Sequence, residues 1–246
     1  MKVIEEYLYN NSWRTKENAN VNRSFSGLLS YISDRAMARY ALTHMPKDAA
    51  RLHRQGTIHI HNLSRPMIIY CSGASLLGLL EKGIFSGETV SKPARHFSSA
   101  VDHVANYMMI ASSEFAGAVA FNNVNTYLAP FIRYDGLDYK EVKQNVQRLV
   151  YNLNFTTRIN FQSPFTNFSF DVVDPPVVGD QPVIVGGKPT DDVYSDFRDE
   201  ADILLTAFCD VLTDLDAHGV PFTFPVPTIN LSRRTDFDSE IFRTVA

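Results

Sequence analysis

Tyr139-Lys140-Glu141-Val142-Lys143-Gln144-Asn145-Val146-Gln147-Arg148-Leu149-Val150-Tyr151-Asn152-Leu153 sets Val142, Val146, Leu149, Val150 and Leu153 on one side of a helix. Lys140, Glu141 and Lys143 fall on the other side, the pattern of a helix laid against a core. An apolar extended piece, Phe168 to Val173, follows it. A helix feeding a short strand is the repeating step of an α/β chain, and the flanking sequence repeats it.

Upstream, Leu28, Leu29, Ile32, Ala36 and Tyr40 space a helix from Phe25 to His44, and Gly56 closes a short second helix. The alternation in Thr57-Ile58-His59-Ile60-His61 predicts a strand with both histidines on one face. Met67-Ile68-Ile69-Tyr70-Cys71 leads through Ser72-Gly73 into a helix holding Leu76, Leu77, Leu79 and Leu80. Another helix is expected from about 95 to 115, with Val101, Val104, Ala105, Met108 and Phe115 inward. Downstream come extended pieces at Val183 to Val185 and Phe222 to Val226, with an amphipathic helix from Asp192 to Thr213 between them. The polar, Asn-rich residues 1–22 read as an irregular lead-in, and the last fifteen residues as the start of a helix. The expected fold is one α/β unit with a mostly parallel sheet.

Composition narrows the function. The 246 residues carry a net charge of −4, which offers no basic face for nucleic acid. No apolar run approaches the ~20 residues of a membrane span, and the acids in Met1-Lys2-Val3-Ile4-Glu5-Glu6 do not suit an export signal. Two cysteines, Cys71 and Cys209, make neither a disulfide scaffold nor a four-cysteine zinc site, so a reducing cytoplasm is expected. Cys209 falls on the apolar side of its helix beside Phe208 and Val211 and reads as core. His59 and His61 suit metal ligation or a polar crevice, and no neighbouring acid or thiol completes a ligand set. Gly186-Gly187 lacks the lysine and helix of a phosphate loop. Glu114, Asn122, Asn123 and the pair Thr166-Asn167 are polar groups in apolar surroundings that must find partners or a ligand.

Taken in order, the motifs are more specific. They run Glu17-Asn18-Ala19-Asn20, His59-Ile60-His61-Asn62-Leu63, Tyr70-Cys71-Ser72-Gly73 and Pro93-Ala94-Arg95-His96-Phe97. Then come Glu114-Phe115-Ala116-Gly117-Ala118, Thr126-Tyr127-Leu128-Ala129-Pro130-Phe131 and Tyr139-Lys140-Glu141-Val142-Lys143-Gln144. Gln162-Ser163-Pro164-Phe165-Thr166-Asn167 and Pro221-Phe222-Thr223-Phe224-Pro225-Val226-Pro227-Thr228 complete the set. This series resembles the anaerobic (class III) ribonucleoside-triphosphate reductases, glycyl-radical enzymes, over the first part of their catalytic domain.

The resemblance implies the first half of a ten-stranded α/β barrel built of two five-stranded parallel halves. It implies reduction of ribonucleoside triphosphates to 2′-deoxyribonucleotides for DNA synthesis by thiyl and glycyl radical chemistry. An iron–sulfur activating enzyme using S-adenosylmethionine would install the radical, and formate or a thiol would supply electrons. Cys71 matches the family's barrel-strand cysteine on the substrate's 2′ side. Ser72, His59, His61, Thr166 and Asn167 are implied to line the substrate region, and Lys143 and Gln144 a deoxynucleotide or ATP effector site at a homodimer interface. No metal is assigned to these residues, and the family's zinc would sit on a C-terminal cysteine set.

Three positions depart from the family pattern: Asn62 stands for Asp, Val119 for Gln, and Asn125 for Asp. The thiyl-loop cysteine, the radical glycine, the zinc cysteines and the ATP-cone have no counterpart in the sequence. The expectation is therefore a partial catalytic barrel, inactive alone and completed by a second polypeptide. A non-catalytic nucleotide-binding or dimerising remnant is the alternative, and a pyruvate formate-lyase relative a more distant one.

Overall fold

The computed structural model describes residues 2–9, 23–157 and 162–246. The Glu17–Asn20 motif and most of the expected lead-in lie outside them. Residues 2–9 are not irregular: α1 (Lys2–Tyr9) is a helix whose Tyr7 ring packs against Tyr31 of α2 (Phe25–His44). Ser24 caps α2 by accepting a hydrogen bond from the Gly27 N–H at 2.9 Å. Helix α3 (Lys47–Arg54) follows, and the expected strand at residues 57–61 is absent. That segment is irregular, so its alternation does not come from a sheet.

The body alternates as read. Strand β1 (Ser72–Ser75) runs into α4 (Leu76–Lys82), and a small hairpin, β2 (Ile84–Ser86) with β3 (Thr89–Ser91), leads to α5 (Phe97–Ala111). Next come β4 (Val119–Asn122), α6 (Val124–Asp135), α7 (Tyr139–Asn154) and β5 (Thr166–Asp171). A hairpin of β6 (Pro182–Val185) and β7 (Lys188–Val193) turns at Gly186-Gly187. It precedes a 3₁₀ turn (Tyr194–Phe197), α8 (Arg198–Thr213), β8 (Val226–Asn230) and α9 (Glu240–Val245). The helix expected from Asp192 starts at Arg198, because its first residues are taken by β7 and the 3₁₀ turn.

The four strands β1, β4, β5 and β8 form one parallel sheet in that order. Strand β8 begins at Val226, not Phe222, and its Pro227 is tolerated because β8 is an edge strand. Helices cover one face. Phe208 of α8 meets Phe168 and Phe170 of β5, with ring centroids 6.1 and 4.9 Å away. The predicted stripe of α7 is buried throughout, each such apolar side chain contributing ~1.5–3 kcal/mol. A capping box between Asp138 and Glu141 starts that helix.

Side chains alternate across a strand, so the register sorts the sheet into two faces. Ala74, Phe121 and Phe168 align toward the helices. Gly73, Ala120, Asn167 and Val226 align on the other face, as do Ser75, Asn122, Ser169 and Thr228, and then Asp171 with Asn230. That second face is polar, and Gly73, Ser75, Asn122 and Thr228 on it are exposed.

Candidate functional site

Cys71 is exposed and lies two residues before Gly73, at the foot of β1 on the polar face. Its sulfur accepts a hydrogen bond from the Ala118 N–H at 3.2 Å, and the Ser72 N–H continues the ladder to the Ala118 carbonyl at 3.0 Å. The neighbouring Tyr70 reaches the other flagged motif: its hydroxyl lies 3.2 Å from His61 Nε2. The His59 and His61 rings are 6.0 Å apart, and His53, which the sequence did not single out, is 6.0 Å from His59. His53 Nδ1 accepts a hydrogen bond from the Ile60 N–H at 3.2 Å. The histidines are thus gathered by loop packing rather than by a strand. Among the described residues no three His, Cys, Asp or Glu side chains converge to hold a metal ion. The family's zinc does not fit here: Cys71 and Cys209 lie on separate elements.

Two expected site residues face away. The register aligns Ser72, Val119 and Thr166 on the helix side, opposite to Cys71 and Asn167. Thr166 is 0% exposed and its hydroxyl has no partner among the described residues. Asn167 stays on the polar face, donating to the Val226 carbonyl and to Thr228 Oγ1, each at 2.9 Å.

The same face holds a constellation the sequence did not single out. Asp171, 2% exposed at the C-terminal end of β5, accepts from Asn123 Nδ2 at 2.9 Å to each oxygen, Thr126 Oγ1 at 2.6 Å and Asn230 Nδ2 at 2.8 Å. Asn123 is left-handed, with φ 54°, a conformation asparagine tolerates, and this aims its amide back at the carboxylate. Asn125 brackets the Asp171 backbone, accepting from its N–H at 2.9 Å and donating to its carbonyl at 2.8 Å. An amide can do both and an ionised carboxylate, which only accepts, cannot, so asparagine at 125 suits this structure where aspartate would not. Val119 is core, and Asn62 takes φ 49° in a turn. Asn125 and Val119 thus have structural reasons, and nothing in the structure explains asparagine in place of aspartate at 62.

On α7, Lys143 does not stand free. Its ammonium contacts Asp214, just past the end of α8, at 2.8 Å and Asp210 of α8 at 3.4 Å. The hydrogen bond to Asp214, ahead of the nearby Asp210 charge, raises its pKa. Tyr139 donates to Asp210 at 2.5 Å. Burial first, then that hydrogen bond, pushes the phenol up to about 12, while the same bond holds the Asp210 carboxyl below its ordinary range. A phenol raised in the folded state stabilises the fold fully below its unfolded pKa of ~10 and loses that contribution as pH climbs through about 12. Denaturant midpoints should therefore fall between pH 10 and about 12 in the chain, and less in Tyr139→Phe. Equal alkaline slopes would contradict the pairing. Gln144 lies one residue on, lining with Gln147, Arg148, Tyr151 and Asn152 a surface cleft of ≈ 370 Å³.

These arrangements match a known group. The family model described as anaerobic ribonucleoside-triphosphate reductase matches residues 17–246. The chain belongs to that family. The reductase of Escherichia coli K12 is 28% identical over an alignment of 157 residues, and the match covers 53% of this chain and 22% of the relative. That of Haemophilus influenzae is 24% identical over an alignment of 151 residues, and the match covers 51% of this chain and 21% of the relative. The Thermotoga maritima anaerobic ribonucleotide reductase with dATP bound in its specificity site has a TM-score of 0.67 at 22% identity, covering 94% of this chain and 40% of that one. The same enzyme in complex with dATP and CTP gives 0.66 at 22% identity, covering 84% and 38%. At that identity the likeness is one of fold, and it bears out the α/β reading and the parallel sheet. The matched stretch is about a fifth of the curated relatives' length.

Proposed function

We propose that this chain forms part of the catalytic barrel of an anaerobic ribonucleoside-triphosphate reductase and holds the 2′ side of a ribonucleoside triphosphate. The observation that carries the reading is the exposed Cys71 thiol on the polar face of the parallel sheet, beside a tyrosine–histidine cluster. A thiol suits hydrogen donation to carbon because its S–H bond is weak, and the role fits a residue presented on a face that a further wall of protein would enclose. Cys71 would deliver hydrogen at C2′, while Asn167, Thr228 and the His59–His61 cluster orient ribose hydroxyls and keep a defined polar lining. The radical and the electrons come from elsewhere. They would be supplied by a thiyl cysteine and glycyl radical outside these 246 residues, an S-adenosylmethionine-dependent iron–sulfur activating enzyme, and formate or a thiol reductant.

For effectors, Gln144 is the better placed of the two expected residues, since its cleft combines amides, a tyrosine ring and the Arg148 guanidinium. The Lys143 charge is already met by two carboxylates. Titration with dATP should show Gln144→Ala weakening affinity at least fivefold and Lys143→Ala changing it less than about twofold, with a stability change under ~1 kcal/mol. A larger loss from Lys143→Ala than from Gln144→Ala would reverse that assignment.

The substrate reading is tested by nucleotide protection. In the assembled enzyme, saturating CTP should slow iodoacetamide labelling of Cys71 at least tenfold and leave Cys209 labelling unchanged. Labelling of Cys71 at an equal rate with and without CTP would contradict it.

A further inference from the structure

The motif Glu114-Phe115-Ala116-Gly117-Ala118 has so far had no task in the proposed reaction. Its glycine lies against Cys71. A Cβ built on Gly117 would sit 2.5 Å from Cys71 Sγ, 2.9 Å from the Tyr70 carbonyl oxygen and 3.3 Å from the Tyr70 ring carbon Cζ. Ordinary carbon contacts need about 3.5–4.0 Å, so the sulfur occupies the space that any side chain at 117 would fill. The Gly117 N–H donates to the Tyr70 carbonyl, and the next N–H, of Ala118, donates to the sulfur. Two successive backbone donors and one missing methyl therefore hold the Tyr70-Cys71 dipeptide from below.

Gly117 does not take a positive φ, so conformational freedom does not require it. Close approach does. We infer that Gly117 is a positioning residue for Cys71: the absence of a side chain there, together with the Ala118 N–H, fixes where the thiol points on the polar face. The contact of a methyl at 117 with the sulfur is relieved by rotating Cys71 about χ1, which takes the sulfur off the Ala118 N–H; the 2.9 Å contact with the Tyr70 carbonyl oxygen needs a small backbone shift besides. The Tyr70 carbonyl is backbone and yields less. This rests on the role proposed for Cys71, and the test is arranged so that the two fail separately.

The experiment compares the chain with Gly117→Ala, both in a Cys209→Ala background so that one thiol reports. The control is Gly78→Ala, where an added Cβ meets nothing within 4 Å. Gly117→Ala is expected to change the iodoacetamide rate of Cys71 at least threefold at fixed pH, and Gly78→Ala to leave it unchanged. In assembled enzyme, Gly117→Ala should lower kcat at least tenfold with KM for CTP changed less than twofold. An unaltered labelling rate in folded Gly117→Ala overturns the inference whatever the turnover. An altered labelling rate with normal turnover leaves the positioning intact and overturns the role of Cys71 instead. Should Gly117→Ala fail to fold, the double variant Gly117→Ala/Cys71→Ala decides: folding supports the sulfur as the obstacle, and failure assigns the clash to the Tyr70 carbonyl and overturns the inference.

Discussion

Cys71→Ala should abolish deoxynucleotide formation in the assembled reductase, by at least a thousandfold, while CTP affinity stays within about threefold. The asymmetry follows from position. The thiol is a small exposed group at a strand end whose contact is the Ala118 N–H, so removing it sacrifices little binding surface. A loss confined to turnover is the signature of a group used in the transition state and not in ground-state binding. Cys71→Ser should be equally inactive, because it keeps the shape and the hydrogen bond while its O–H bond is too strong for reversible hydrogen exchange. Deoxynucleotide formation at the original rate in either variant would remove Cys71 from the chemistry.

The largest effect on folding is expected at Asp171. Its buried carboxylate takes hydrogen bonds from Asn123, Thr126 and Asn230, which come from the β4–α6 turn, α6 and the end of β8. No cation pairs with that carboxylate among the described residues, so neutral donors carry the whole interaction. Hydrogen bonds to a charged group contribute about 1.5–3 kcal/mol each, and orphaned buried donors lose hydration they do not regain. Asp171→Ala should therefore lower the unfolding free energy by about 3–5 kcal/mol, measured by urea denaturation, with Thr126→Ala losing about 1–2 kcal/mol. An Asp171→Ala chain within 1 kcal/mol of the parent would show that the C-terminal ends of the strands are held by other contacts.

Where the sequence was readable, a single period carried the signal. The stripe of α7 and Val101, Val104, Ala105 and Met108 of α5 are buried as spaced, since one face of each meets the sheet or a neighbouring helix, whereas α5 ends at Ala111 and leaves Phe115 beyond it, half-buried. Helix α6 was not legible because Val124 to Ile132 are all buried, which erases the period, and Pro130 sits inside it. Strand β4 has four residues, too few to alternate visibly. The segment at 57–61 shows the opposite failure. Its alternation serves a histidine cluster with His53 and Tyr70, and imitates a strand.

The candidate residues were picked out by motif, and the sheet sorts them. Cys71 and Asn167 fall on the polar face and His61 meets Tyr70, but pairing register, which no local pattern reveals, turns Ser72 and Thr166 to the helix side. Asp171 carried no local signal, since its donors come from 45 to 59 residues away. Lys143 looked solvated because its carboxylate partners lie on and just past α8, far along the chain.

On the proposed reading this chain supplies the Cys71-bearing wall of a working reductase barrel. The direct measurement is anaerobic conversion of radiolabelled CTP by the chain with a polypeptide carrying the thiyl cysteine and radical glycine, the activating enzyme and formate or a dithiol. Labelled deoxycytidine triphosphate is expected only when all parts are present and Cys71 is intact. Tight CTP binding with a formed glycyl radical, seen by electron paramagnetic resonance, yet no deoxynucleotide, would contradict it and leave a nucleotide-binding remnant.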